Sequence, residues 1–121
     1  TIRKAWKRAH QLLSEANQIR ILGYSLPGND AYVKYLLAAS VLNSKNLKRI
    51  DVICHDETGD VEKRYREFIT FKFLCYKNAK IEEYLKPLNT TLHQEQRGAL
   101  PEVTFAPKGL EDNHNIFMEN A

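Results

Sequence analysis

Two short apolar runs constrain this chain more than anything else in it. Residues 19–24 read Ile-Arg-Ile-Leu-Gly-Tyr and residues 50–54 read Ile-Asp-Val-Ile-Cys. Each has the length and near-continuous apolar character of a strand covered on both faces. Between them lie a turn-rich segment and a helical one, the crossover length that a parallel βαβ unit needs. Such crossovers are right-handed in nearly all cases. With the helical pattern before residue 19, the order becomes helix, strand, helix, strand, which predicts an α/β fold with a short parallel sheet flanked by helices in three layers.

The opening helix is carried by Ile2, Ala5, Trp6, Ala9, Leu12, Leu13 and Ala16 at steps of three and four. Arg3, Lys4, Lys7, Arg8 and Glu15 fall between them, so one face is expected to pack inward. A second helix is expected over residues 31–43, capped by Asn29 or Asp30 and apolar around most of its circumference. A third, with Asp60 as its cap, carries Val61, Tyr65, Phe68 and Ile69. Residues 70–88 read as mostly helical, broken near Asn78 and stopped by Pro87. Residues 89–100 read as a polar loop, 102–105 as a last short strand and 108–121 as a weakly ordered tail. The 121 residues suit one folded unit over 1–88 with an appended segment over 89–121.

Hydrophobic residues make up 43% and charged residues 27%, a balance that folds rather than stays disordered. The net charge is +3, and no basic run exceeds two residues, which gives little support for a nucleic-acid surface. Cys54 and Cys75 sit in apolar surroundings and read as buried thiols of a cytoplasmic protein, not as a disulfide. No apolar stretch approaches the roughly 20 residues that span a bilayer. The chain opens at Thr1, not Met, directly in a helical pattern. It therefore reads as a fragment or a processed product.

Ligands of open parallel sheets bind beyond the carboxyl ends of the strands. That rule selects the loops over residues 23–30 and 54–60. Gly23 would let a ligand approach the backbone, Ser25 offers a hydroxyl, and amides at the following helix start point outward. Asp30 would repel a phosphate there, so a sugar diol or an adenine edge fits better. The plainer alternative, that Asp30 only caps a helix and Gly23 only relieves crowding, stays open. Cys54, His55 and Asp56 spell a triad in letters, but adjacent strand residues point to opposite faces. Asp56, Glu57 and Asp60 read as solvated or capping carboxylates, and no metal is predicted. The aromatic series from Tyr65 to Tyr84 reads as core or interface.

Residues 21–27, Ile-Leu-Gly-Tyr-Ser-Leu-Pro, followed by Asp30, Tyr32 and Tyr35, resemble the signature in the C-terminal half of prokaryotic sirtuin-like domains. The neighbouring order is similar too: a basic amphipathic helix before it, and after it the run over 50–54 and the pair Arg64 and Tyr65. The resemblance spans about residues 3–69. It implies a Rossmann-like NAD-binding domain, whose members deacylate lysine side chains or, in bacterial defence systems, hydrolyse NAD. It also implies that Gly23, Tyr24, Ser25, Leu26 and Asp30 contribute to the adenosine side of an NAD pocket. Cys54 stands where the family supplies an Asn to the adenosine ribose, with His55 beside it.

No segment here matches the family's Gly-Ala-Gly turn, Asn-Asp pair or catalytic His. The histidines at 10, 55, 93 and 114 read as surface or satisfied residues. The resemblance therefore implies a chain that is inactive alone, binds NAD or ADP-ribose only with a missing N-terminal half, and has no catalytic residue of its own. The alternative is a non-catalytic interaction module on a truncated scaffold, with an uncovered sheet edge that favours self-association.

Overall fold

A computed structural model of the chain describes residues 1–41, 44–70, 73–87 and 106–119, the first three of the last segment by backbone alone. The elements are α1 (Ile2–Glu15), β1 (Gln18–Leu22), α2 (Ala31–Ser40), β2 (Arg49–Ile53), α3 (Asp60–Phe68) and β3 (Leu74–Lys77). A short helix over residues 81–87, α4, and then α5 (Ala106–Glu119) complete them. The strands form one parallel sheet in the order β1-β2-β3, with Ile19 opposite Ile50 and Ile50 opposite Leu74. The fold is α/β, a small Rossmann-like unit with helices on both faces of the sheet.

Strand alternation divides the core in two. Ile19, Ile50, Val52, Cys54 and Leu74 meet Leu26, Leu37, Val41, Tyr65 and Ile69 on the face that α2 and α3 cover. Ile53 on the other face meets Ala79, Tyr84 and Met118 beneath α4 and α5. Ile50, Val52 and Ile53 are fully buried, and each such side chain stabilises the fold by about 1.5–3 kcal/mol. Among the described residues no helix is long and apolar enough to cross a membrane.

The structure departs from the sequence pattern in five places. Residues 74–77 form β3 and are not helical: Leu74 and Tyr76 face one layer, Cys75 the other, and pairing with β2 overrides a spacing that fits both periods. Residues 108–119 belong to α5 and are not a weakly ordered tail, because His114 and Met118 are buried against the sheet. The second helix stops at Ser40, with Val41 as its cap. The third is capped from further back, by the Asp56 carboxylate, which accepts from the Gly59 and Glu62 amides at 2.9 and 3.1 Å. Finally, α1 buries no residue. Its Leu13, with Ala16 just beyond its end, packs against the core, while Ile2, Trp6 and Leu12 remain exposed. The loop expected over 89–100 and the strand expected over 102–105 lie outside the described residues.

Candidate functional site at the carboxyl edge of the sheet

Where β1 ends, the Gly23 amide still donates to the Ile53 carbonyl at 2.7 Å. The chain then turns out of the sheet through two left-handed residues, Gly23 at φ +70° and Leu26 at φ +51°. A Cβ on Gly23 would meet only Ile81, at an ordinary 3.9 Å, so the backbone angle and not crowding demands glycine. Leu26 pays about 1–2 kcal/mol for its left-handed backbone, and its complete burial among the core residues offsets that cost.

Helix α3 clamps this loop through its backbone. The Arg64 guanidinium donates to the Ser25 carbonyl at 3.0 and 3.3 Å and to the Leu26 carbonyl at 3.1 Å. The Tyr65 hydroxyl donates to the Tyr24 carbonyl. Asp30 caps α2 by accepting from the Val33 amide at 3.2 Å, and its other oxygen accepts from the Tyr24 hydroxyl. These bonds, Tyr24's first, hold the Asp30 carboxyl below the usual carboxylate range. Burial, then the same bond, pushes the Tyr24 hydroxyl up to about 12.

The second loop is fastened to β3. The Asn78 amide mimics a strand partner: its oxygen accepts from the Asp56 amide at 2.8 Å and its nitrogen donates to the Asp56 carbonyl at 2.6 Å. Burial works to raise the Asp56 carboxyl, but the amides of Glu62, Val61, Gly59 and Thr58 at the start of α3 outweigh it and hold the group below its usual range. Cys54 is buried, desolvation pushes its thiol up, and its carbonyl accepts from the Tyr76 hydroxyl at 2.9 Å. That is a packing thiol and not a nucleophile. His55 is exposed, with Glu57 at 3.4 Å.

The seven residues singled out by sequence therefore separate. Leu26 and Cys54 are core, Tyr24 and Asp30 are engaged with each other, and Gly23, Ser25 and His55 stay at or near the surface. Sequence reasoning missed the positioning roles of Arg64 and Asn78, which act across 39 and 22 residues. Loop-to-helix hydrogen bonds of that span leave no local signal.

Sequence reasoning also missed a buried polar chain on the opposite face. The Tyr84 hydroxyl meets His114 Nδ1 at 2.8 Å, and His114 Nε2 meets Asp51 at 2.6 Å. Asp51 also accepts from Arg49 at 2.6 Å and Gln18 at 3.2 Å. Asp51 and His114 are 0% exposed. Desolvation works to raise the Asp51 carboxyl, and the His114 and Arg49 bonds outweigh it, so the group stays below its usual range. The enclosed Asp51–His114 pair anchors α5 to β2, and the polar chain reaches solvent only at Arg49 and Gln18.

Compared with protein-family models, curated proteins and solved structures, the chain gives no match.

Proposed function

We propose that this chain is the adenosine-side half of a sirtuin-like NAD-binding domain, with residues 23–30 as one rim of the nucleotide pocket. The observation that carries the reading is topological. Three parallel strands in sequential order match one half of a doubly wound sheet, in which the crevice opens where the other half joins. In that arrangement the other half adds beside β1, and the loop leaving β1 borders the crevice.

The polar groups of this edge suit a ribose or an adenine and not a pyrophosphate. Asp30 and Asp56 are both ionised, and the Arg64 guanidinium is turned inward onto carbonyl oxygens. Ser25, His55 and the exposed Gly23 backbone would hold the adenosine moiety. Tyr24, Asp30, Arg64 and Tyr65 would position them. When bound, NAD supplies a nicotinamide–ribose bond to be cleaved, and this chain contributes binding and orientation only. Hydrolysis of the defence type is preferred over deacylation, because Cys54 and Cys75 cannot build a four-cysteine zinc ribbon. A cytoplasmic setting suits both.

Calorimetric titration of ADP-ribose into the intact protein tests this. Ser25→Ala is expected to weaken binding by about tenfold, the loss of one hydrogen bond, and Asp30→Ala to weaken it through the loop. An intact protein that takes up no ADP-ribose, or unchanged affinity in both variants, would remove this loop from any nucleotide site.

The second reading is a non-catalytic module that self-associates by strand pairing. It is favoured by the outer edges of β1 and β3, which pair with no strand among the described residues.

A further inference from the structure

Helices α1 and α2 enclose a groove of about 710 Å³ on the outside of the molecule, lined by Trp6, Tyr32, Tyr35 and Leu36 with Arg3 and Lys7 at its rim. Tyr32 and Tyr35 are 79% and 75% exposed, and Trp6 leans on Tyr32 with ring centroids 6.4 Å apart. Exposed aromatics gathered in one groove are unusual for a surface with no partner. The rim is strongly basic: α1 carries Arg3, Lys4, Lys7 and Arg8 against the single acid Glu15.

The complement of this groove is on the same chain. From Gly109 to Glu119, α5 carries Glu111, Asp112 and Glu119 and no lysine or arginine, and its His114 is buried. Glu111 is paired with Arg20. Asp112, Ile116 and Glu119 are spaced four and three residues apart, so they share one side of the helix. Ile116 is 55% exposed at the edge of a shallow pocket with Lys77 and Phe117, and Glu119 lies within electrostatic reach of Arg49. This is an apolar knob flanked by acids. It cannot reach its own groove, because α5 covers the face of the sheet opposite to the one carrying α1 and α2.

We propose that the groove between α1 and α2 receives the Asp112, Ile116 and Glu119 face of α5 from a second copy of this chain. The two surfaces differ, so the contact is head-to-tail and propagates into chains or rings instead of closing as a two-fold pair. Charge complementarity supplies orientation, and the aromatic groove supplies the buried apolar area. One helix seated in one groove is a small interface, so association is weak and concentration-dependent.

Sedimentation velocity of the full chain tests this. The expected mass rises beyond a dimer with concentration and falls as salt is raised. Lys7→Glu spoils only the groove, and the pair Asp112→Lys with Glu119→Lys spoils only the knob. Each is expected to weaken association by about tenfold or more, with unchanged circular dichroism. An equal mixture of the two has one intact groove and one intact knob, and is expected to recover association that each variant alone has lost. A wild-type chain that stays monomeric at every concentration overturns the proposal. So does association that both variants leave intact, which would point to strand-edge pairing. A monomer that instead binds a single-stranded oligonucleotide at low salt, and loses it in Trp6→Ala, also overturns it and assigns the groove to nucleic acid.

Discussion

Asp51 ties β2 to α5 through His114 on the face of the sheet that α4 and α5 cover. A carboxylate at the centre of a parallel sheet is tolerated only when each lone pair has a partner, and here His114, Arg49 and Gln18 supply them. Removing His114 leaves one buried oxygen of Asp51 without its closest partner while Arg49 stays in place, so His114→Leu is expected to lower unfolding free energy by about 1–3 kcal/mol in urea denaturation. Replacing both, Asp51→Leu with His114→Leu, removes the orphan as well and is expected to cost about 1–3 kcal/mol less than the sum of the single changes. Strict additivity would show that the two groups are not coupled. The oddity of Asp51 within Ile-Asp-Val-Ile is visible in sequence, but its partner is 63 residues away and nothing local announces it. Leu26 makes the opposite case. Its side chain is core but its backbone is left-handed, so Leu26→Gly is expected to be no more destabilising than Leu26→Ala, reversing glycine's usual penalty. A glycine variant about 1 kcal/mol worse than alanine would mean the backbone is unstrained.

At the scale of elements, α3 acts as a clamp more than as a crossover. Its Arg64 bridges two consecutive carbonyls of the 23–30 loop and its Tyr65 takes a third. A planar guanidinium can do this and a lysine ammonium on a flexible stem cannot. Arg64→Lys is therefore expected to speed amide hydrogen exchange over residues 23–30 and the first turn of α2, while β2 keeps its protection. Uniform acceleration across the sheet would instead mean that Arg64 supports global stability. The two strands and the helix between them were legible because buried parallel strands are short apolar runs and Asp30 is a strong cap. β3 was not, because Leu74, Cys75 and Tyr76 fit either period until β2 is present to pair with them. Nor was the order of α5 legible, since its inward His114 and Met118 are too few to give a helical stripe and depend on the sheet for their burial. The candidate site was legible as a location but not as a division of labour: sequence could select the loop, and only the packing separates Ser25 and His55 from Leu26 and Cys54.

The whole molecule carries an acid–base signature that follows from these parts. Asp30, Asp51 and Asp56 all sit below the ordinary carboxylate value of 3.8 when folded. The folded chain then binds fewer protons than the unfolded chain through the acidic range, so the stability these groups confer is complete above about pH 5 and is lost as pH falls through their depressed folded values. Tyr24, Tyr65, Tyr76 and Tyr84 are raised above 10.0, chiefly by burial. The folded chain keeps those protons longer, so their contribution is complete below the unfolded value and fades as pH rises toward about 12 for Tyr24. Through these groups stability is therefore expected to fall below about pH 5 and again as pH rises toward the tyrosine range. The acid limb should be shallower in Asp51→Asn, whose neutral amide has no proton to gain on unfolding, even though that variant is less stable on the plateau. Urea midpoints measured across the pH range separate the two effects, slope from height. An Asp51→Asn limb as steep as the wild type's would mean that the carboxyl titrates alike in both states, and the buried pair with His114 would then not be holding it ionised.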